Sequence, residues 1–247
     1  MITILIIKSI DARGPRMPGG YAWVPMNQDV VCKVYRMLYA AYGPQGWWPG
    51  EGALEIVAGA ILTQRTAWQN AERALENLDR ADLLSISALG HAPVEQVAET
   101  IRPSGCYREK AKKLASFAVA VERRTGGDLA AFLDRPSDRL RQELLSIHGI
   151  GLETADAILL YAAKHPTFVV DAYTRRLFER LGYLRGDESY EAIRGDFAAA
   201  LPPDVDTLGE YHALIVRHGK THCRKRPVCD GCRLVSVCPL GAAKEAA

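Results

Sequence analysis

Apolar residues recur along this chain at the three- and four-residue intervals of a helix face, and no convincing run alternates with the period of a strand. Residues 27–43 open on Asn27, a capping type, and carry Val31, Val34, Tyr35, Leu38 and Tyr39 on one stripe. Leu54, Ile56, Val57, Ile61 and Leu62 predict a mostly buried helix over 52–63. Shorter helices are predicted over 66–78 and 92–99. Ala111, Leu114, Phe117 and Val121 make 108–124 amphipathic, ending at Gly126-Gly127. Leu140, Leu144 and Ile147 share a face of 137–147, as do Ala155, Ile158, Leu159 and Ala162 of 152–163. Asp171 opens a last predicted helix ending near Leu181, with Gly182 as its left-handed terminator.

This pattern predicts an all-α protein. Breaks fall at Tyr42-Gly-Pro-Gln-Gly46 and at Pro166, and no internal repeat interrupts the order. The first 25 residues, with Gly14-Pro and Pro18-Gly-Gly20, predict a loose arm.

Composition adds bounds. At 247 residues and 48% hydrophobic, the chain can bury one large core or two small ones. Its opening Met1-Ile-Thr-Ile-Leu-Ile-Ile-Lys8 lacks a leading positive charge and is a poor signal peptide. No run of 18 apolar residues predicts a membrane span. The expectation is a cytoplasmic, nucleoid-associated monomer. Net charge is only +2, but Arg217–Arg226 holds five Lys or Arg and no acid. Such a run is commonly a solvated face, yet here it leads into a cysteine loop and suits phosphates.

That loop is Cys223, Cys229, Cys232 and Cys238, spaced C-x5-C-x2-C-x5-C. Disulfides would need an oxidising compartment. A structural zinc usually shows two close ligand pairs, and only Cys229-x2-Cys232 is one. Iron–sulfur clusters take four thiolates at compact spacings. The order is therefore iron–sulfur, then zinc, then disulfides. Cys32 and Cys106 are expected as buried small apolar residues.

Between two predicted helices lies His148-Gly149-Ile150-Gly151. Glycines tolerate positive φ and let the chain reverse, and Ile150 can plug between the helices. The N–H groups that start the second helix make an anion site suited to a phosphate. Alone the motif is an ordinary helical turn. Asp171 ends an apolar approach, Phe168-Val-Val-Asp171. Helix capping accounts for it. Partial desolvation would also raise its pKa and fit it for catalysis, and the two roles are compatible.

At this point the residues resemble the helix–hairpin–helix DNA glycosylases of the endonuclease III type. Leu144–Ala155 resembles the family hairpin, Phe168–Leu177 the segment with its essential Asp, and Ile61–Trp68 the helix whose Gln enters the duplex. His218-Gly-Lys220 and the four cysteines resemble its iron–sulfur loop. The likeness runs in family order from about Asp29 to Cys238. It implies two helical domains flanking a cleft for double-stranded DNA containing a damaged base. One is a six-helix barrel over 52–164 with the helix–hairpin–helix at 137–163. The other is discontinuous, 26–51 with 165–247, and carries a [4Fe–4S] cluster (zinc as the alternative) on Cys223, Cys229, Cys232 and Cys238. The implied DNA contacts are Gln64, His148, Gly149, Ile150, Gly151, Thr154 and Lys220, and the implied catalytic residue is Asp171.

Two departures shape the activity. The cluster spacing usually begins with six intervening residues, and here there are five. Bifunctional members carry Lys two residues after the second hairpin Gly, where this chain has Glu153. Without that amine no Schiff base forms there, so lyase activity is not expected. Glu153 is accounted for as a solvated first-turn acid.

Trp47-Trp48-Pro49 with Trp68 resembles the base pocket of the 3-methyladenine branch. The alternative is that these tryptophans are core anchors. Aromatic faces attract a cationic alkylated purine. In the implied mechanism Gln64 holds open the gap left by a flipped nucleotide. Trp47 and Trp68 sandwich the base, and Asp171 stabilises the oxocarbenium-like sugar. The expected function is a monofunctional glycosylase for alkylated purines. Its rivals are an endonuclease III-like glycosylase for oxidised pyrimidines or mismatches, and a catalytically weak DNA-binding or redox iron–sulfur protein.

Overall fold

The computed structural model describes residues 23–47, Gly50 and 52–241. Trp48 and Pro49 of the expected pocket, and all but the end of the expected arm, lie outside the described residues. Every regular element among the described residues is helical. None of these helices is long and apolar enough to cross a membrane.

The helices are α1 (Gln28–Tyr42), α2 (Ala53–Leu62), α3 (Trp68–Arg80), α4 (Ile86–His91), α5 (Val94–Thr100), α6 (Tyr107–Thr125), α7 (Leu129–Leu133) and α8 (Ser137–Leu145). They continue as α9 (Leu152–Ala157), α10 (Ala172–Arg180), α11 (Tyr190–Ala200) and α12 (Val205–Thr221). Asn27 caps α1 as the pattern predicts, its side chain accepting from Val30 N–H at 3.0 Å. Gly126 and Gly182 end α6 and α10 with positive φ. Helix α3 starts at Trp68 rather than 66, because Arg65 adopts φ 57° and turns the chain between Thr63 and Thr66. Helix α9 does not stay α-helical to 163. It widens into a π turn over Ile158–Ala162, the kind of local insertion found at functional sites.

Helix α2 is central. Every residue from Ile56 to Leu62 is buried, and it packs on α3, α6, α9 and the π turn. Helix α12 is the second buried axis, packed on α1, α10 and the π turn. Phe168 and Phe197 stack at 3.8 Å between centroids, and Tyr211 meets both edge-on. Tyr211 also donates its hydroxyl hydrogen to the Val31 carbonyl at 2.9 Å, tying α12 to α1.

One ion network locks the hairpin helices to the aspartate segment. Arg141 on α8 grips the fully buried Asp156 on α9 with two bonds of 2.9 Å and reaches Glu191 on α11 at 2.7 Å. Thr167 donates to the same Asp156 carboxylate. A buried pair of this kind adds little net stability but is costly to break, so it fixes geometry.

Candidate active site

A cleft of about 1030 Å³ lies where α2, α3, α6, α9, α10 and α12 converge. Trp47, Gln64, Trp68, His148, Gly151, Glu153, Thr154, Asp171 and Lys220 all line it. Residues scattered from 47 to 220 therefore meet in one concavity, the default form of a binding site.

Gly149 has φ +83°, and a Cβ there would stand 2.2 Å from Lys113 Cγ, so glycine is needed twice over. Gly151, expected to serve the same turn, is ordinary extended backbone at φ −93°. Ile150 is 5% exposed, the buried hairpin plug expected of its side chain. Thr154 is likewise buried, and its Oγ1 accepts from Gln64 Nε2 at 3.0 Å. Gln64 Nε2 also reaches the Gly149 carbonyl, while Lys113 Nζ donates to Gln64 Oε1. The expected duplex-entering Gln is thus tethered to the hairpin by exchangeable hydrogen bonds. Below it Lys110, 2% exposed, donates to the carbonyls of Leu62 and Ser104 and closes the end of α2. Burial holds its ammonium pKa below the ordinary lysine value.

Asp171 faces this hairpin. It caps α10, its Oδ1 accepting from Thr174 N–H at 2.7 Å and Thr174 Oγ1 at 2.9 Å. Oδ2 is left 3.6 Å from His212 Nε2, just beyond ordinary hydrogen-bond reach. Capping therefore engages one oxygen of the carboxylate and leaves the other facing His212. The expected rise in its pKa is not found. Burial does push the carboxyl up, but His212 and the Thr174 donors outweigh it and leave it below the ordinary aspartate value. Glu153 is exposed, in keeping with a solvated first-turn acid, and also lines the cleft, where partial desolvation and then the Asp171 charge push its carboxyl pKa up. Two neighbouring carboxyls are thus driven in opposite directions, the arrangement that separates acid from base.

The aromatic wall is Trp47 and Trp68. Trp68 begins α3, and its indole N–H donates to Glu72 at 3.3 Å. Lys220 Nζ stands 5.5 Å from the Trp47 ring centroid, within cation–π range. His148 lines the cleft mouth. Cys106, expected to be buried, is exposed and also lines the cleft, and Cys32 is only half-buried. Cys32 packs against the edge of the core, whereas Cys106 precedes α6 at φ 46°.

The cysteine loop lies beyond α12. All four thiols are free. Cys223 Sγ accepts from Arg180 at 3.3 Å, and Cys232 Sγ is 3.7 Å from His218 Nε2. Burial raises the Cys232 and Cys238 thiol pKa values, and charge on the neighbouring cysteines raises them further. The four sulfurs therefore share one electrostatic neighbourhood. Among the described residues no group of three or more His, Cys, Asp or Glu is gathered tightly enough to hold a single metal ion.

The sequence pattern missed His212, Tyr161 and Lys113. His212 interrupts the apolar run Tyr211–Val216, which was its only signal. Tyr161 and Lys113 gave none, since both sit on ordinary helical faces.

Comparison with known proteins adds relatives to this geometry. The profile of the family described as "HhH-GPD superfamily base excision DNA repair protein" matches residues 58–203. A candidate DNA repair glycosylase of Methanocaldococcus jannaschii, MJ1434, is 44% identical over 211 residues, covering 85% of this chain and 96% of that protein. Among solved structures, endonuclease III in a non-covalent DNA complex superposes with a TM-score of 0.77 at 20% identity, over 90% of this chain and 99% of that one. The Helicobacter pylori 3-methyladenine DNA glycosylase MagIII bound to 1,N6-ethenoadenine gives 0.67 at 25% identity, over 78% and 97%.

Proposed function

The chain belongs to the HhH-GPD superfamily of base excision DNA repair proteins, and from that premise we propose that it is a monofunctional glycosylase removing alkylated purines from duplex DNA. The observation that carries this is the meeting of Trp47, Trp68, Gln64 and Asp171 in one cleft. Gln64 leaves its hairpin tether to fill the space of the flipped nucleotide. The extruded base stacks against the tryptophans. The C1′–N bond then breaks with its electron pair going to the base, so a cationic methylated purine departs neutral. Asp171 Oδ2 stabilises the cationic sugar, and water adds to C1′, losing its proton to that carboxylate. Glu153 cannot form a Schiff base, so the product is an intact abasic strand.

One observation favours a second substrate class. The Lys220 ammonium over Trp47 opposes a cationic base and suits a neutral one with acceptor atoms. That would be endonuclease III-like excision of oxidised or mismatched bases. Duplexes bearing 3-methyladenine or thymine glycol, treated with protein and then with or without hot alkali, separate the two. The first proposal expects strand breaks only after alkali and faster loss of the methylated purine. Preference for thymine glycol, or a borohydride-trapped covalent complex, would overturn it.

We also propose that Cys223, Cys229, Cys232 and Cys238 hold a [4Fe–4S] cluster, with zinc as the alternative occupant. The C-x5-C-x2-C-x5-C spacing and the Arg180 guanidinium directed at Cys223 Sγ support this reading. The cluster would brace the basic loop that follows α12. Anaerobically purified protein should contain iron and sulfide; zinc without iron would sink the proposal.

A further inference from the structure

Behind Asp171 runs a buried polar chain that base removal, as described, leaves without a task. His212 on α12 is 6% exposed, with Nδ1 2.7 Å from the Tyr161 hydroxyl and Nε2 3.6 Å from Asp171 Oδ2. Nε2 is buried and, among the described residues, lies within hydrogen-bond distance of no partner. A buried polar atom left in this state is costly, and such atoms are rare in folded proteins without a structural or chemical reason. Tyr161 is 3% exposed and stands in the π turn, whose widened backbone carries its ring against α12. Gly209 admits that ring, since a Cβ there would come within 3.2 Å of Tyr161 Cε1.

The hydrogen positions follow from chemistry. The Tyr161 hydroxyl can donate to Nδ1 or to the Gly209 carbonyl at 3.3 Å. If it donates to Nδ1, the neutral ring carries its proton on Nε2. If it donates to Gly209, Nδ1 carries a proton, and a neutral ring would turn a lone pair on the Asp171 carboxylate. That repulsion is removed only by protonating Nε2 as well. In both favourable states an Nε2–H is aimed at Oδ2.

We propose that Tyr161 and His212 form a positioning relay behind Asp171, in which the imidazole Nε2–H holds the carboxylate ionised and turned toward the sugar. The proposal rests on Asp171 acting in base removal. The low Asp171 pKa agrees with it. The other charged or titratable groups around this pair are Glu153 on α9, Arg175 on α10 and Glu210 on α12 itself.

The test uses His212→Ala, His212→Gln and Tyr161→Phe in the full chain. The Asp171 carboxyl is titrated by carbon NMR, and excision is followed under single-turnover conditions across pH. His212→Ala should raise the Asp171 pKa by about one unit or more, because a facing cation or donor is lost. The acid limb of excision should move up in pH with it. The rate should fall on the order of 100-fold, the scale of a misplaced catalytic group, with affinity for an abasic-analogue duplex unchanged. Glutamine, which restores an N–H near the Nε2 position, should recover part of both. Tyr161→Phe keeps the ring packing and should shift both in the same direction by less. An Asp171 titration unmoved in His212→Ala and Tyr161→Phe overturns the relay. If His212→Ala does not fold, Tyr161→Phe decides. If the wild-type protein excises no base from any lesion duplex, the base-removal proposal fails, while the carboxyl titration still decides the relay.

Discussion

The hairpin wall and the aspartate wall of the cleft hold their polar groups by opposite means. On the hairpin wall Gln64, Lys113, the Gly149 carbonyl and Thr154 satisfy one another through direct, partly exposed hydrogen bonds. Those bonds can be exchanged for phosphates or base edges at little net cost. On the aspartate wall Asp171 and His212 are buried and face each other across 3.6 Å with no such exchange available. On the proposed function the first wall would rearrange when a duplex arrives, and the second would be preorganised for developing charge. Substitutions on the aspartate wall should therefore cost rate, and those on the hairpin wall should cost affinity.

The largest effect should come from Asp171→Asn. Asparagine caps helices as well as aspartate, and Oδ1 keeps its Thr174 donors, so the melting temperature should move little. Single-turnover excision should fall on the order of 1,000-fold, as when a preorganised charge-stabilising group is removed. Binding to an abasic-analogue duplex should hold or tighten. In the native protein the carboxyl sits below the ordinary aspartate value. Its stabilising contribution is therefore complete above the unfolded-state pKa and is lost as pH falls through the folded one. A melting loss that matches the activity loss would return Asp171 to a purely capping role.

Next come Trp47→Ala and Trp68→Ala. Base–aromatic stacking is worth about 1–3 kcal/mol per base, so each should slow excision by roughly 5- to 100-fold. Affinity for an abasic-analogue duplex, which has no base to stack, should change much less. Wild-type excision rates in both variants would make these rings simple packing residues.

The two walls also differ in how far the sequence disclosed them. The hairpin wall was legible because its signals are local: a Gly-x-Gly between two periodic segments and a Gln at the end of an apolar helix. Asp171 was legible as a cap for the same reason. Its environment was not, because His212 lies 41 positions later (212 − 171) and Tyr161 on a different helix, joined only by packing. Burial alone suggested a raised Asp171 pKa, and the unseen imidazole reverses it. Glu153 was legible as an exposed first-turn acid, but the Asp171 charge that helps push its carboxyl up was not, because that neighbour is brought in by the fold. The fold was clearest where amphipathic stripes were long, as in α1 and α6. Helices α11 and α12 followed the last predicted element and went unassigned, although α12 supplies the floor of the site.

Lys220 tests the aromatic side between these walls. Its ammonium lies over Trp47, where a cationic base would compete with it. Lys220→Met should raise excision of 3-methyladenine by about 3- to 10-fold, in line with a cation–π contact of roughly 0.5–2 kcal/mol. It should lower excision of a neutral lesion. Loss of both activities together would show that Lys220 serves DNA binding rather than base choice.

The smallest effect belongs to the hairpin wall and sharpens the contrast most directly. Lys113 lays its stem across Gly149 and its ammonium on Gln64, at the mouth where a phosphate would approach the hairpin. Lys113→Met keeps much of that stem and removes one charge. Duplex affinity should fall by less than about tenfold, and the slope of log affinity against log salt should flatten by about one. The single-turnover rate at saturating protein should stay near wild type, because neither Asp171 nor His212 loses a contact. A Lys113→Met variant that binds normally but excises slowly would show that Gln64 needs this ammonium for the chemical step, and the division of labour between the walls would fail.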